Sequence, residues 1–476
     1  MNYFEKVTGL CLIGAFAVGA ASASTPLLSL DEYLVQVQRG NQSVRASLET
    51  GTGAEMRSSE AALMFMPILN AGVQWYDDAK PSATSVFTGD KMTVDSFSLG
   101  VSEMTSFGLS GKLSYSFNYT QLRNPNPMFV PQPQYYETTP KLEVSFPLWR
   151  NFSGQEMRAA QELQQAQALA TSYVERFKNK LAMAEAEGTY WRLALAREGV
   201  KVTRESVERA TKIRDWNAGR VRVQLADKAD LLQAQALLEA RNFELQMALD
   251  ELQAASRAFN TMRGADTSDV SETVQTLDGV AMQSLSIPLK PEVREDVKAA
   301  QQQERLLASN ARMNQEKNKP NLNVFGSLAM NGRDVGAGSS VSESFGTHHP
   351  TYAAGVALTM PFDVGTLNQV RDGYAKEAEG ARLSYSRKLY EQDRDWVDLS
   401  AKLGDAKKRF ELSTSIERAQ KLKLDHEKDR LTRGRTVTFQ VLMFEQDYAQ
   451  AQLNRIRAQA DILRTVAMMK TYGSSK

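Results

Sequence analysis

Cysteine is almost absent from this chain of 476 residues; Cys11 stands alone. Disulfide staples are excluded, and with them the small secreted domains that depend on such bridges. Histidine is nearly as scarce, with His348, His349 and His426. The first two are adjacent in a loop-like stretch and read as plain surface groups; the third lies in a helical stretch. No H-E-x-x-H, G-x-S-x-G or P-loop spacing occurs. The expectation is therefore no enzyme: no catalytic residue, no metal site and no cofactor. Excess charge of one sign is missing too. The net charge is +1, which leaves no basic face for a nucleic acid. Beyond residue 24 no apolar run reaches about 18 residues, so a helical membrane span is not expected. A membrane β-barrel stays open, because its strands alternate and never form such a run.

The beginning of the chain reads as a targeting segment. A short polar start with Lys6 is followed by the apolar run Leu10 to Val18. Ala21-Ser22-Ala23 then fits an A-x-A cleavage site, so residues 1–23 form a signal peptide and the mature chain begins near Ser24. Cys11 falls inside this segment without the small residue expected just before a lipid-modified cysteine, so no lipid anchor is expected. An exported chain with no helical anchor is soluble and periplasmic, secreted, or an outer-membrane barrel.

Two halves of the chain resemble one another. Ser145-Phe146-Pro147-Leu148 parallels Thr359-Met360-Pro361-Phe362, with the prolines 214 positions apart. Gly219 parallels Gly434 at 215, and Asp230-Leu231-Leu232 parallels Gln440-Val441-Leu442 at 210. Gly264 and Gly473 end the copies at 209. The drop from 215 to 210 implies about five extra residues in the first copy between Gly219 and Asp230. Upstream, Ser43-Val44-Arg45 parallels Glu292-Val293-Arg294 at 249, so the first copy carries about 35 extra residues before Pro147. The resulting organisation is a first repeat over 24–264, a linker over 265–285 and a second repeat over 286–476. Each repeat holds a helix, a strand hairpin (67–150 and 320–363) and a long helical hairpin.

After each proline-bearing strand comes one long helical stretch. Gln155 to Asn217 contains no proline, and at 1.5 Å per residue it measures about 95 Å; Thr366 to Arg433 measures about 100 Å. Globular helices run 8–20 residues, so these lengths point to coiled-coil or helical-barrel packing. The faces are rich in Ala and Gln, with a stripe through Leu231, Ala234, Leu238, Leu245, Leu249 and Leu252. Gly219 and Gly434 are read as the left-handed caps that end the long helices at a helix-turn tip. Shorter helices return over about 227–262 and 437–470, and others are expected over about 30–66 and 291–318. Ser29 and Glu32 fit a capping box opening the first of these.

Between the helices the pattern changes to period 2. Leu113, Tyr115, Phe117 and Tyr119 alternate with small polar residues, as do Leu69 to Trp75, Leu142 to Phe146 and Leu322 to Leu328. One lipid face and one wet face explain this, and so does a half-buried soluble sheet. Residues 332–350 read as a loose Gly/Ser-rich outer loop. The first copy has an extra alternating stretch, Phe97 to Val101, followed by the turn Ser106-Phe107-Gly108. A chain that enters and leaves on one side crosses an even number of times. The first copy crosses two or four times and the second twice; two is preferred, with the extra hairpin as a non-spanning extension.

Taken together, Leu142-Glu-Val-Ser-Phe-Pro-Leu-Trp-Arg-Asn151, Ala229-Asp-Leu-Leu-Gln-Ala-Gln-Ala-Leu-Leu-Glu239 and Arg433-Gly-Arg-Thr-Val-Thr-Phe-Gln-Val-Leu442 resemble the TolC-like outer-membrane efflux proteins over about 27–473. The resemblance implies an α+β membrane protein with an internal two-fold repeat. It implies a homotrimer whose protomers each give four strands to a 12-stranded outer-membrane β-barrel, continued by a coiled-coil periplasmic tunnel of 12 helices. Such a channel is passive and serves a tripartite efflux or type I secretion system, with a periplasmic adaptor and an inner-membrane pump as partners and outer-membrane lipid around the barrel. Drug efflux, metal efflux and protein secretion share this architecture. The tips near 219–230 and 434–440 would be the periplasmic entrance. The acidic ring of the family's entrance maps to Gln440 and Met443, neither acidic, while Asp230 matches the aspartate of the first tip. Asp230 is expected to tether Arg433 or Arg435 and help close the entrance. The competing reading is a non-conducting coiled-coil structural or adhesion protein of the envelope.

Overall fold

The distribution of proline and alternating residues divides the chain into very long helices and a single large sheet. The computed structural model describes residues 27–81, 84–276, 282, 290 and 293–473. The expected signal peptide, its cleavage site and Cys11 lie outside the described residues, as does part of the expected linker. In chain order the elements are β1 (Leu27–Leu28), α1 (Leu30–Gly40), α2 (Gln42–Arg57), β2 (Ile68–Asp78), α3 (Ser85–Thr88), β3 (Lys91–Met104), β4 (Ser110–Arg123) and β5 (Gln134–Pro147). There follow α4 (Gln155–Arg222), α5 (Lys228–Met262), β6 (Thr273–Val274), α6 (Glu295–Lys317), β7 (Asn321–Met330), β8 (Gly332–Asp334), α7 (Ala337–Ser344), β9 (Pro350–Thr359), α8 (Val364–Thr432) and α9 (Thr438–Met469). Two compact units result, and each draws on both halves of the sequence. Among the described residues no helix is long and apolar enough to cross a membrane.

One unit comprises the described parts of Met1–Gly40 and Ala186–Ser284 with Leu412–Ala460. The capping box is present: the Ser29 backbone N–H donates to Glu32 at 3.0 Å, and the Glu32 N–H donates to Ser29 Oγ at 3.3 Å. The first helix does not run on to residue 66. It stops at Gly40, where a Cβ would lie 2.1 Å from the Arg263 carbonyl oxygen, so only glycine lets the two helix ends meet. Asn41 then caps a new helix by accepting from the Ser43 and Val44 N–H groups. Above this contact Tyr33 stacks on Phe259 with centroids 4.1 Å apart and lies 5.6 Å from Tyr190. Its hydroxyl meets Thr189 Oγ1 at 3.0 Å and donates to the Phe259 carbonyl at 3.1 Å. Burial pushes the Tyr33 hydroxyl up to about 12, as desolvation of a phenolate requires. Tyr190 donates to the Leu28 carbonyl at 2.7 Å and accepts from the Gln275 N–H at 2.8 Å, bracing the parallel pair β1 and β6.

The other unit comprises the described parts of Asn41–Glu185, Leu285–Glu411 and Asp461–Lys476. Its centre is an antiparallel sheet in the order β2-β3-β4-β5-β7-β9, with the three-residue β8 pairing β5 beyond β7. The stretch 67–150 therefore holds four strands, and the expectation of four strands in the whole chain is corrected to six long ones. The pair β3 and β4 is no short extension. Each has 14 residues, and they pair from Lys91 with Arg123 to Met104 with Ser110. The turn at Ser106-Phe107-Gly108 is seated. Gly108 has φ +92° and a Cβ there would lie 3.0 Å from the Asn151 carbonyl oxygen, while a Cβ on Gly154 would lie 2.0 Å from that of Ser106. The turn thus nests against the junction of β5 and α4, where Arg150 pairs with Glu156 at 2.7 Å.

The 332–350 stretch is not loose. Gly332 has no side chain to obstruct α7, whose Ser340 is fully buried and meets Thr138 Oγ1 at 2.9 Å. Phe345, just past α7, stacks on Tyr115 with centroids 6.2 Å apart.

Candidate functional site

The residues singled out at the helical tips all lie in the first unit described above. The second tip behaves as the sequence suggests. Gly434 takes φ +71°, its N–H donates to the Leu431 carbonyl at 3.0 Å, and the Arg435 N–H donates back to Arg430 at 2.9 Å. The first tip does not turn at Gly219, which lies inside α4. Gln224 takes the left-handed conformation at φ +60°, its N–H donates to the Val221 carbonyl at 3.0 Å, and the Leu225 N–H donates to Arg220 at 2.8 Å. Arg220 Nη2 donates to the Leu225 carbonyl as Arg430 Nη2 does to that of Arg435, at 2.8 and 3.1 Å.

Every one of these pairs is 210 positions apart (434 − 224, and 430 − 220). Five residues separate the helices in both tips, 223–227 and 433–437. The first tip therefore carries no extra five residues, because Gly219 is not the counterpart of Gly434. The residue matching Gly434 is Gln224, which accepts a conformation glycine would take at less cost. Gln224→Gly is expected to stabilise by about 1 kcal/mol and Gly434→Ala to destabilise by a similar amount, both measured as shifts in thermal midpoint. Opposite signs for either would remove the cap argument.

Beneath the turns an apolar cluster is formed by Ile213, Ala234, Leu424, Leu431, Val441, Leu442, Phe444 and Tyr448, with Trp216 and Leu237 against it. Asn217 is fully buried beside this cluster. It donates to the Ile213 carbonyl at 3.0 Å and accepts from Thr438 Oγ1 at 2.8 Å, so it joins the two hairpins. Arg220 stacks over Trp216 at 4.7 Å. Met443 is exposed and Gln440 half-exposed on the first turns of α9. Arg433 closes on Asp429 of its own helix at 2.7 Å. Among the described residues no ion pair joins Asp230 to Arg433 or Arg435 within one chain.

Sequence reading missed a buried charge on α9. Glu445 is fully buried on the stretch of α9 that supplies Val441, Leu442, Phe444 and Tyr448 to the cluster. It accepts from Arg209 Nε at 2.7 Å and Ser206 Oγ at 3.2 Å, with Lys428 Nζ at 3.6 Å. Arg209 also lies over the Tyr448 ring at 5.1 Å and donates to Gln452 at 3.3 Å. A signal existed: Glu445 follows Val441 by four residues, a core-facing interval on α9. Farther along, Arg455 bridges Glu198 and Glu417 at 2.6 Å each. Burial works against its charge, but the hydrogen bonds to Glu198 and Glu417 outweigh that and hold the guanidinium above its ordinary range.

In the other unit the register sorts the sheet into two faces. One carries Leu69, Val73 and Trp75 of β2, Phe97, Leu99 and Val101 of β3, Leu113 and Phe117 of β4, Leu142 and Val144 of β5, Val324 and Leu328 of β7, and Val356 and Leu358 of β9. Most of these are exposed: Val73 at 78%, Leu99 at 55%, Leu113 at 58% and Val356 at 66%. Trp75, Tyr119 and Tyr136 fall on one row near its end, with Asp95 of β3 between Trp75 and Tyr119, and the two tyrosine rings are 4.8 Å apart. The opposite face carries Gln74, Ser98, Ser116, Asn118 and Ser327, with Lys141 and Glu143 paired at 2.7 Å. The period-2 pattern thus gives an apolar surface backed by a polar one; α7 and Phe345 cover it at Thr138 and Tyr115, and most of the rest is exposed.

No protein-family model matches the chain. An uncharacterized protein of Haemophilus influenzae is 26% identical over 208 residues, 42% of this chain and 44% of its own length, so the match spans less than half of that relative. Solved structures align far more completely. CusC, described for transmembrane channel formation, is 14% identical with a TM-score of 0.65, covering 94% of this chain and 92% of its own. The outer membrane protein VceC of Vibrio cholerae is 14% identical at TM-score 0.64, covering 93% and 95%. The open state of the Neisseria gonorrhoeae MtrE outer membrane channel is 15% identical at 0.64, covering 93% and 88%. The chain has the fold of these channel proteins.

Proposed function

We propose that the chain is one protomer of a TolC-like export channel of the outer membrane, extending into the periplasm. The observation that carries this reading is the exposed apolar face of the sheet. Large contiguous apolar surfaces mark a buried interface or a lipid contact, and an apolar face backed by a polar one with an aromatic row near its edge is the chemistry of a barrel wall. The fold shared with outer-membrane channels supports the same assignment. The protomers assemble as a homotrimer around an internally repeated helical tunnel. The channel is passive: an inner-membrane pump drives export, and a periplasmic adaptor docks at the tips 219–230 and 434–440. Asp230 reaches Arg433 or Arg435 of a neighbouring protomer and helps close the entrance.

Reconstitution in planar bilayers tests the channel. Heat-resistant trimers giving discrete single-channel currents are expected, and a soluble rod that never conducts would instead establish the envelope-scaffold reading. Unchanged conductance in both Asp230→Ala and Arg435→Ala would remove the tether while leaving the channel intact.

A further inference from the structure

We infer that the transmembrane conduit is an eighteen-stranded barrel, sealed by β2 of one protomer against β9 of the next. The inference rests on the trimeric channel proposed above and sharpens it at two surfaces, the free edges of the sheet.

All six long strands qualify as wall. The apolar face runs unbroken from Leu69 and Val73 on β2, through Phe97 and Leu99 on β3 and Leu113 on β4, to Val356 and Leu358 on β9. If β2 and β3 stood outside the membrane, Leu69 (69% exposed), Val73 and Leu99 would face water, since none of the described residues covers them. The polar face is equally continuous, with Ser98 of β3 directly opposite Ser116 of β4. The connections also sort by side. The tight turn between β3 and β4 lies at the helix-bearing end, seated on the start of α4, and the longer connections 124–133 and 331–349, with the described part of 79–90, lie at the other. Short turns on one side and long loops on the other are the habit of outer-membrane barrels.

The edges then dictate the partner. Among the described residues β2 pairs with β3 alone and β9 with β7 alone, which leaves a row of N–H and C=O groups on each. In hydrocarbon every such group left unpaired costs several kcal/mol, so the sheet must close. Six strands cannot close on themselves, since single-chain barrels begin at about eight. A second copy supplies the missing edge with correct polarity. Six alternating strands leave β9 antiparallel to β2, so rotating one copy beside another sets β9 antiparallel to the next β2. Both edges present apolar residues on the same face, Leu69 and Val73 against Val356 and Leu358, so the lipid belt continues across the seam.

Three copies give eighteen strands. With strands about 4.8 Å apart and tilted about 40°, the barrel is about 36 Å across between backbones, against about 24 Å for twelve strands. The wall then encloses roughly twice the cross-section, and the conduit through the membrane is the wide part of the path.

Electron cryo-microscopy of the full-length protein in lipid nanodiscs decides this by counting strands. Eighteen, with density for β2 next to β9 at each of three seams, is the expected result. A trimer whose barrel has twelve strands, with β2 and β3 outside it, overturns the inference and leaves the channel standing. Particles that are not trimers, or that have no barrel, overturn the inference together with the channel reading.

Discussion

Leu99→Arg is expected to lower the stability of the membrane-inserted protein by about 2–4 kcal/mol, and Ser98→Arg by less than about 1 kcal/mol. The residues are neighbours at the middle of β3 and point to opposite faces. Leu99 lies opposite Ala71 on β2 and Tyr115 on β4, both on the apolar face. Ser98 lies opposite Gly72 and Ser116, on the polar face. In the barrel proposed above the apolar face meets lipid, where a guanidinium must desolvate or thin the bilayer locally, and the polar face meets water. Urea unfolding in phospholipid vesicles measures both variants. Equal, small effects would mean that β3 does not contact lipid, and the six-strand wall would fail with it. A large loss for Ser98→Arg and none for Leu99→Arg would invert the faces.

The second large effect lies at the tips. Arg209→Ala is expected to cost about 3 kcal/mol, because Glu445 is fully buried and loses its nearest charged partner. Lys428 remains at 3.6 Å and holds the loss toward the lower end of what breaking a buried pair brings. Replacing both charges with apolar groups, Arg209→Met with Glu445→Leu, removes the uncompensated carboxylate and is expected to recover most of that loss. Thermal unfolding of the detergent-solubilised protein distinguishes the cases. A double variant as unstable as Arg209→Ala would show that the guanidinium matters through packing on Tyr448 rather than through charge. The network ties α4, α8 and α9 together beneath the apolar cluster, so a shift there also tests whether the two hairpins unfold as one.

Much of this architecture is legible in the chain itself, because period is a local property. Residues 155–217 contain no proline, and α4 runs from Gln155 to Arg222. Leu113 to Tyr119 alternate with small polar residues, and they form the centre of β4. The capping box at Ser29 and Glu32 needs only residues three apart. At the first tip glycine is no guide to the turn. A left-handed position is a backbone requirement, and Gln224 meets it without announcing itself in sequence. Glu445 escaped notice for a related reason. Its charge suggests a solvated face, and only the arrival of Arg209 from another helix makes its burial tolerable.

By itself the sequence determined the elements and their two-sidedness: helices of 68 and 69 residues, and strands with one apolar and one polar face. These follow from periodicity, composition and the absence of helix breakers, each of which acts over neighbouring residues. The tertiary structure decided how many strands join one sheet, where the first tip turns, and which buried charges meet. Those outcomes depend on contacts between residues far apart in the chain: Ser106 against Gly154, Arg209 with Glu445, β5 beside β7. Local pattern cannot encode them, because hydrogen-bond pairing and close packing are settled only when the distant partner is in place.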